Sequence, residues 1–194
     1  MSRVYLRALE PDDYKISVNW RNDDDITSKL GGGKYFVSNE IERQWVQNAI
    51  NQNKDVRLAI CTIDGNLYIG NIYLTGIDYI NRKATSHILI GNHDYWNGGY
   101  GTEAMRLLLD YAFNHKNLRR IEAHVLEDNI GSCKVHEKLG YKREGLLRES
   151  VYKDGVYKNQ ICYALLKSEY NPVNLSRWSS VESASMDSDY MQKS

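Results

Sequence analysis

The chain reads as an α+β fold: a mixed, mostly antiparallel central sheet with helices on both faces. Two observations predict it. Apolar segments of period two and stripes of period 3.6 follow one another in the order β-α-α-β-β-β-α-β-α-β-β, which is neither a strict βα alternation nor all-β. Short turn signals also sit between successive strand patterns, at Asp64-Gly65, at residues 78–82 and at Asp154-Gly155, and such turns join antiparallel neighbours.

Residues 4–9, Val-Tyr-Leu-Arg-Ala-Leu, alternate and form the first strand. Glu10-Pro11-Asp12-Asp13 then opens a helix, with proline in the first turn and acids at its positive end, that runs to about Asn22. Asp23-Asp24-Asp25 and Gly31-Gly32-Gly33 frame a loop with a short helical turn inside it. Asn39-Glu40-Ile41-Glu42 resembles a capping box, and Ile41, Trp45, Val46, Ala49 and Ile50 form the apolar stripe of the helix it starts. Strands follow at Val56–Thr62, 67–77 and 84–91, then a glycine-rich segment and a helix over 102–115. Arg120–Leu126 is a strand, 129–139 a helix ended by Gly140, and 141–152 and Val156–Leu166 close the sheet. Past Tyr170 serines multiply and apolar residues thin out, so residues 1–170 read as one domain and 171–194 as a flexible tail.

Composition narrows the function classes. Lys plus Arg is 25 and Asp plus Glu is 25, so the global basic field of a nucleic-acid binder is absent. Three widely spaced cysteines form no disulfide framework, and neither they nor the five histidines have metal-ligand spacing. The first residues lack the apolar core of a signal peptide, and no apolar run is long enough to span a bilayer. The expectation is a cytoplasmic protein without metal, membrane or nucleic-acid partner. Fifteen tyrosines against two phenylalanines suit clefts with one wet edge.

The most informative segment is Tyr95-Trp96-Asn97-Gly98-Gly99-Tyr100-Gly101-Thr102-Glu103-Ala104. It lies between a strand pattern and a helix pattern, a junction that aims free backbone N–H groups and the positive helix end at one point. An anion suits it. A triphosphate loop would end in Gly-Lys-Ser/Thr, whereas this one ends in Gly-Thr-Glu; the Gly-x-Gly-x-x-Gly dinucleotide fingerprint is missing. A pyrophosphate of another ligand, or a plain turn, remains. The second motif is Asn129-Ile130-Gly131-Ser132-Cys133-Lys134-Val135-His136-Glu137-Lys138-Leu139-Gly140-Tyr141. Ser132 and His136 are four apart and share a helix face beside Val135 and Leu139.

Together, in order and correctly spaced, the two motifs resemble the GNAT superfamily of N-acetyltransferases, whose signature is Arg/Gln-x-x-Gly-x-Gly/Ala and then Asn-x-x-Ser/Ala…Tyr-Glu-x-x-Gly-Phe/Tyr. The resemblance covers about residues 4–167 and is nearest the branch of ribosomal-protein amino-terminal and spermidine/polyamine acetyltransferases; residues 77–84 resemble the polyamine enzymes in particular. Trp96 replaces the usual Arg or Gln, a position that often acts through its backbone. His136 replaces the Tyr that serves many members as general acid. The Gly31-Gly32-Gly33-Lys34-Tyr35-Phe36 segment replaces the acidic stretch of the spermidine enzymes.

The resemblance implies acetyl-CoA as co-substrate. Its pyrophosphate would rest on Trp96, Asn97, Gly98, Gly99, Tyr100, Gly101 and Thr102, and its pantetheine arm would pair with Leu89, Ile90 and Gly91. Asn129 would sit near the pantetheine amides and Ser132 near the thioester. The reaction would be direct attack of a primary amine in a ternary complex, with an N–H near Leu89 or Ile90 stabilising the oxyanion. His136 is the first candidate for the acid that protonates the thiolate, and Ser132 the alternative. A Cys133–His136 nucleophile is less economical, because the co-substrate already carries an activated acyl group. His87 has the option of facing the amine, and Asp23-Asp24-Asp25 of attracting it. Lys116, Arg119 and Arg120 form a basic cluster at the far helix end. The acceptor is a polyamine or other small amine, or a protein N-terminus, and a homo-oligomer is compatible with the chain. The alternative is a non-catalytic acetyl-CoA-binding sensor or scaffold, which the His136 replacement favours; a DNA-binding module is weaker still.

Overall fold

The structure, a computed structural model, describes residues 2–172. Residues 173–194, almost all of the expected tail, lie outside the described residues.

Seven strands form one sheet: β1 Val4–Ala8, β2 Val56–Thr62, β3 Tyr68–Asp78, β4 Lys83–Ile90, β5 Arg120–Leu126, β6 Lys142–Lys153 and β7 Val156–Leu166. Their spatial order is β1-β2-β3-β4-β5-β7-β6, and every pairing except β4 with β5 is antiparallel. A parallel pair needs a long crossover; helix α4, Tyr100–Asp110, continued by a wider π turn over Tyr111–His115, supplies it. The other helices are α1 Tyr14–Arg21, α2 Asp24–Thr27, α3 Asn39–Asn51 and α5 Ile130–Lys138.

The period-two alternation of the strands divides the interior into two cores, with helices on both faces of the sheet as expected. On one face Met105, Leu108, Leu109 and Phe113, with Cys133 from α5, pack on Ile60, Ile69, Ile72, Ile121 and Tyr163. On the other, Trp20, Ile26 and Ala49 pack on Ala59, Cys61 and Tyr68.

Helix α3 departs from the expected stripe. Its cap is Ser38, whose hydroxyl accepts from the Ile41 N–H, not Asn39. Val46 and Ala49 are buried, but Ile41 and Ile50 are exposed. The buried acid Glu42 takes the inner position instead, accepting from Ser17 Oγ at 2.6 Å with Arg21 at 3.8 Å. A buried carboxylate is tolerated only with such partners, and they come from α1, which the sequence of α3 does not reveal. The helix after the glycine-rich segment begins at Tyr100, two residues before the expected start.

Candidate active site

β4 and β5 pair only through Lys83–Thr85 and Arg120–Glu122. Beyond Glu122 β5 keeps only β7, which flanks its other edge along the whole strand, and beyond Thr85 β4 keeps only β3. The two strands therefore part like a fork. At its apex Ser86 Oγ donates to the Glu122 carbonyl at 3.1 Å and meets Tyr141 Oη at 3.1 Å. Burial holds the Tyr141 phenol well above its ordinary range, so that hydroxyl is a fixed hydrogen-bonding strut and not a proton carrier.

The antiparallel pairing decides which β4 groups face the fork. Gly91 N–H bonds the Ile69 carbonyl at 2.8 Å, and in an antiparallel ladder bonded and non-bonded pairs alternate. Leu89, opposite Asn71, is therefore bonded to β3, whereas Ile88 and Ile90 turn their backbone groups away from β3. The indole of Trp96 already donates to the Ile90 carbonyl at 2.8 Å. What β4 offers the fork is the Ile88 amide pair and the Ile90 N–H. Gly91 serves packing: an added Cβ would fall inside the Trp20 indole.

The glycine-rich segment lies where β4 ends. Asn97 and Gly99 both have positive φ, 58° and 86°, the left-handed conformation that glycine and asparagine reach at least cost. That bend makes Gly99 the cap of α4. Glu103 N–H is the first to find a helical acceptor, the Gly99 carbonyl at 3.1 Å; the N–H groups of Tyr100, Gly101 and Thr102 precede it and have no intrahelical acceptor. Gly101 packs against β4, where an added Cβ would stand 3.6 Å from Ile88 and Ile90, an ordinary van der Waals contact.

Arg3 braces this turn, and no local pattern announces it. Its guanidinium donates to the Gly98 carbonyl at 3.0 Å, lies 4.3 Å from the Tyr100 ring centre and pairs with Glu103 at 3.2 Å. Burial pushes the Glu103 carboxyl up, but hydrogen bonds from Ser2, the Arg3 N–H and the Arg3 side chain outweigh it and keep the acid ionised. Trp96 is engaged through its side chain rather than its backbone alone: His93 stacks on it at 4.2 Å and the Lys29 ammonium lies 3.7 Å from its ring centre.

Helix α5 forms the other wall. Asn129 caps it, accepting from Ser132 N–H at 3.1 Å and donating to the Lys29 carbonyl at 3.0 Å; both ends of that side chain are thus spent within the protein. Ser132 is half-buried, and its hydroxyl makes no hydrogen bond among the described residues. His136 is 3% exposed, stacked on Tyr163 at 5.6 Å and edge-on to Tyr141 at 4.9 Å. Its Nδ1 donates to the Ser132 carbonyl at 2.8 Å, while Nε2 is buried without a partner among the described residues. Burial lowers its pKa, only partly opposed by the hydrogen bond to Ser132. At neutral pH His136 is a neutral imidazole whose Nε2 is an acceptor.

A stability consequence follows. A histidine with a depressed folded pKa binds its proton more readily in the unfolded chain, so it costs stability as pH falls below its ordinary value of 6.5. His136→Phe, which keeps the ring stacking, is expected to flatten the loss of Tm between neutral and mildly acidic pH. A Tm–pH slope equal to that of the wild type would contradict the burial of a neutral imidazole. His87 retains part of the slope in both proteins, because burial and the nearby His124 and Arg57 lower its pKa too.

The remaining candidates are placed as follows. His87 lies on the opposite side of β4 from Ile88, bonded to Thr75 Oγ1 at 2.8 Å. Burial raises the Cys133 thiol, which makes it a poor nucleophile. Asp23 is engaged by His93 at 3.0 Å and Asp24 by Lys34 at 2.5 Å, leaving Asp25 exposed. Arg120 is committed to Glu122 and Glu144. No group of metal-ligating side chains and no helix long and apolar enough to cross a membrane occurs among the described residues.

Known proteins are similar to this chain in sequence and fold. The model of the acetyltransferase (GNAT) domain matches residues 3–142. Spermidine N(1)-acetyltransferase of Vibrio cholerae is 31% identical over 146 residues, 75% of this chain and 83% of that protein. The uncharacterized N-acetyltransferase p20 of Bacillus licheniformis is 28% identical over 170 residues, 87% of this chain and 95% of that one. Among solved structures, spermidine N-acetyltransferase from Vibrio cholerae in complex with CoA and spermine has a TM-score of 0.80 at 28% identity, covering 87% of this chain and 98% of that chain.

Proposed function

Because this chain belongs to the GNAT family and is an acetyl-CoA-dependent N-acetyltransferase, we propose that it acetylates small primary amines, polyamines first among them, in the fork between β4 and β5. The observation that carries this reading is the conjunction at one place of a parted parallel strand pair, a turn of free N–H groups and an unpaired buried imidazole nitrogen.

The residues fit acetyl-CoA. The N–H groups of Tyr100, Gly101 and Thr102, at the positive end of α4, suit a pyrophosphate, and Arg3 adds a cation beside them. The Ile90 N–H, next to the cradle, and the Ile88 carbonyl suit the pantetheine amides, which would pair as an added strand. When bound, acetyl-CoA supplies an acetyl group already activated as a thioester. The thioester end, farthest from the pyrophosphate, then meets the Ile88 N–H as the oxyanion donor, rather than that of Leu89, which is bonded to β3, or of Ile90, which the arm takes up.

Proton traffic divides between the two helix residues. Neutral His136 accepts at Nε2, so it donates to a departing thiolate only after taking up a proton. Ser132 carries a hydroxyl with a proton to give at neutral pH. The acid role therefore moves toward Ser132, whose hydroxyl would pass a proton to the thiolate and be reprotonated by the proton the amine loses on attack; His136 Nε2, without a partner among the described residues, is left to accept a hydrogen bond.

For the acceptor, support comes from the similar Vibrio cholerae enzyme, a spermidine N(1)-acetyltransferase. The engagement of Asp23 and Asp24 with His93 and Lys34 removes a ready cluster of free acids, so a protein N-terminus stays the second candidate. The test is acetyl-CoA turnover, followed as free thiol, against spermidine, spermine, peptides with free N-termini and amino sugars. Turnover with spermidine or spermine well above the peptides is expected. Saturable acetyl-CoA binding with no turnover on any amine would instead support a sensor, the reading that the replacement of the family tyrosine by His136 favours.

A further inference from the structure

The segment between α2 and α3 crosses the open end of the fork and is tied to both walls. On the β4 side the Lys29 ammonium covers Trp96, and just ahead of α2 Asp23 meets His93 at 3.0 Å. On the β5 side Asn129 donates to the Lys29 carbonyl, and Gly31 lies so close to β7 that a Cβ would come within 2.9 Å of Gln160 Nε2. The remaining tie is Lys153, the last residue of β6. It is 3% exposed, and its ammonium donates to the carbonyls of Leu30 at 2.8 Å and Gly32 at 2.7 Å.

That is an unusual place for a lysine. Burying an ammonium is costly unless it is paired, and Lys153 forms no ion pair with a carboxylate among the described residues. Burial lowers its pKa. What the ammonium does is satisfy two backbone carbonyls of a glycine-rich strap that has no ladder of its own to satisfy them. Three consecutive glycines would otherwise leave the strap many conformations to sample.

We propose that Lys153 is a positioning residue for the amine acceptor: its buried ammonium pins Leu30 and Gly32 across the end of the fork, and the strap so held forms one wall of the acceptor's entry. Lys153 touches neither acetyl-CoA nor the reacting atoms; it acts through the strap. The inference rests on acetyl-CoA lying in the fork. That premise is checked first and separately, by calorimetric binding of acetyl-CoA to the wild-type chain.

Three full-length variants test it: Lys153→Met, Lys153→Arg, and, as a control on the strap itself, Gly31→Ala, which leaves the ammonium's two carbonyl bonds in place. The readouts are KM for acetyl-CoA, KM and kcat for whichever of spermidine and a free-N-terminus peptide the wild type acetylates faster, and the rate of tryptic cleavage after Lys29 and Lys34. For Lys153→Met the expected result is an acceptor KM raised about tenfold with acetyl-CoA KM unchanged. Strap cleavage should accelerate by a similar factor. Gly31→Ala, whose methyl meets only the movable end of Gln160, should leave both readouts near wild type, and Lys153→Arg should retain most of both. A folded Lys153→Met enzyme with wild-type acceptor KM, or one whose acetyl-CoA KM rises equally, would overturn the proposal. So would a strap cut no faster than in the wild type, a result that can be read even in a protein that turns over no amine.

Discussion

Gly99→Asp is expected to weaken acetyl-CoA binding about 100-fold, equivalent to roughly 2.7 kcal/mol. Gly99 caps α4 with φ 86°, and aspartate tolerates that conformation better than most side chains. Its carboxylate would be able to accept from the Gly101 or Thr102 N–H, the groups the pyrophosphate needs, and would repel the phosphates as well. Hydrogen bonds to charged groups contribute about 1.5–3 kcal/mol each, so losing one or two accounts for the whole effect. The fold should survive, because one aspartate at positive φ costs about 1–2 kcal/mol and its carboxylate would stand beside the Arg3 guanidinium, 3.4 Å from the new Cβ. Calorimetric titration at two salt concentrations checks both parts: affinity falls, and the loss shrinks at high salt as the repulsion is screened. Gly99→Ala, uncharged, should cost only a few-fold. An equal loss for alanine and aspartate would mean that backbone strain, not anion competition, sets the affinity.

Gly91→Ala should unfold the protein more readily than any cradle substitution. The new methyl would lie within the Trp20 indole, and Trp20 is itself held at 4.7 Å against Tyr68 in the smaller core. Overpacking of this kind costs about 3 kcal/mol or more. For a domain of this size that lowers Tm by roughly 6–12 °C. Gly70→Ala belongs with it, since a Cβ there would meet the Leu89 carbonyl. Thermal melts followed by circular dichroism decide the matter. A Tm within about 2 °C of wild type would show that Trp20 has room to move, and that Gly91 is free to serve the ligand in the way the family motif implies.

The two glycines show what was readable in the sequence and what was not. The cradle is a local object: strand, left-handed turn and helix start lie within a dozen residues, and their spacing alone announces free N–H groups. The turn signals at Asp64-Gly65 and Asp154-Gly155 were readable for the same reason. The fork was not, because nothing in either strand's own sequence says that the parallel pairing of β4 with β5 stops at Thr85 and Glu122; β7, paired along the other edge of β5, holds β5 in the sheet beyond that point. Gly91 looked like a ligand contact until the strand register showed its N–H spent on Ile69 and its missing Cβ replaced by Trp20. Arg3 and Glu103 meet across 100 residues of sequence, and Lys153 reaches back 121 and 123 residues to the strap. Neither pairing leaves a periodic trace. His136 was visible as a departure from the family tyrosine, but its proton state follows from burial against Tyr141 and Tyr163, and that is tertiary information.

The central claim is that acetyl-CoA lies in the fork with its pyrophosphate on the first amides of α4. Amide hydrogen exchange, measured residue by residue with and without CoA, tests it most directly. The account predicts slowed exchange at Tyr100, Gly101 and Thr102 and at Ile88 and Ile90. Leu89 and Gly91, already bonded to β3, should change little. Protection of Leu89 and Gly91 without Ile88 and Ile90, or a cradle that exchanges as fast with CoA as without it, would contradict the account.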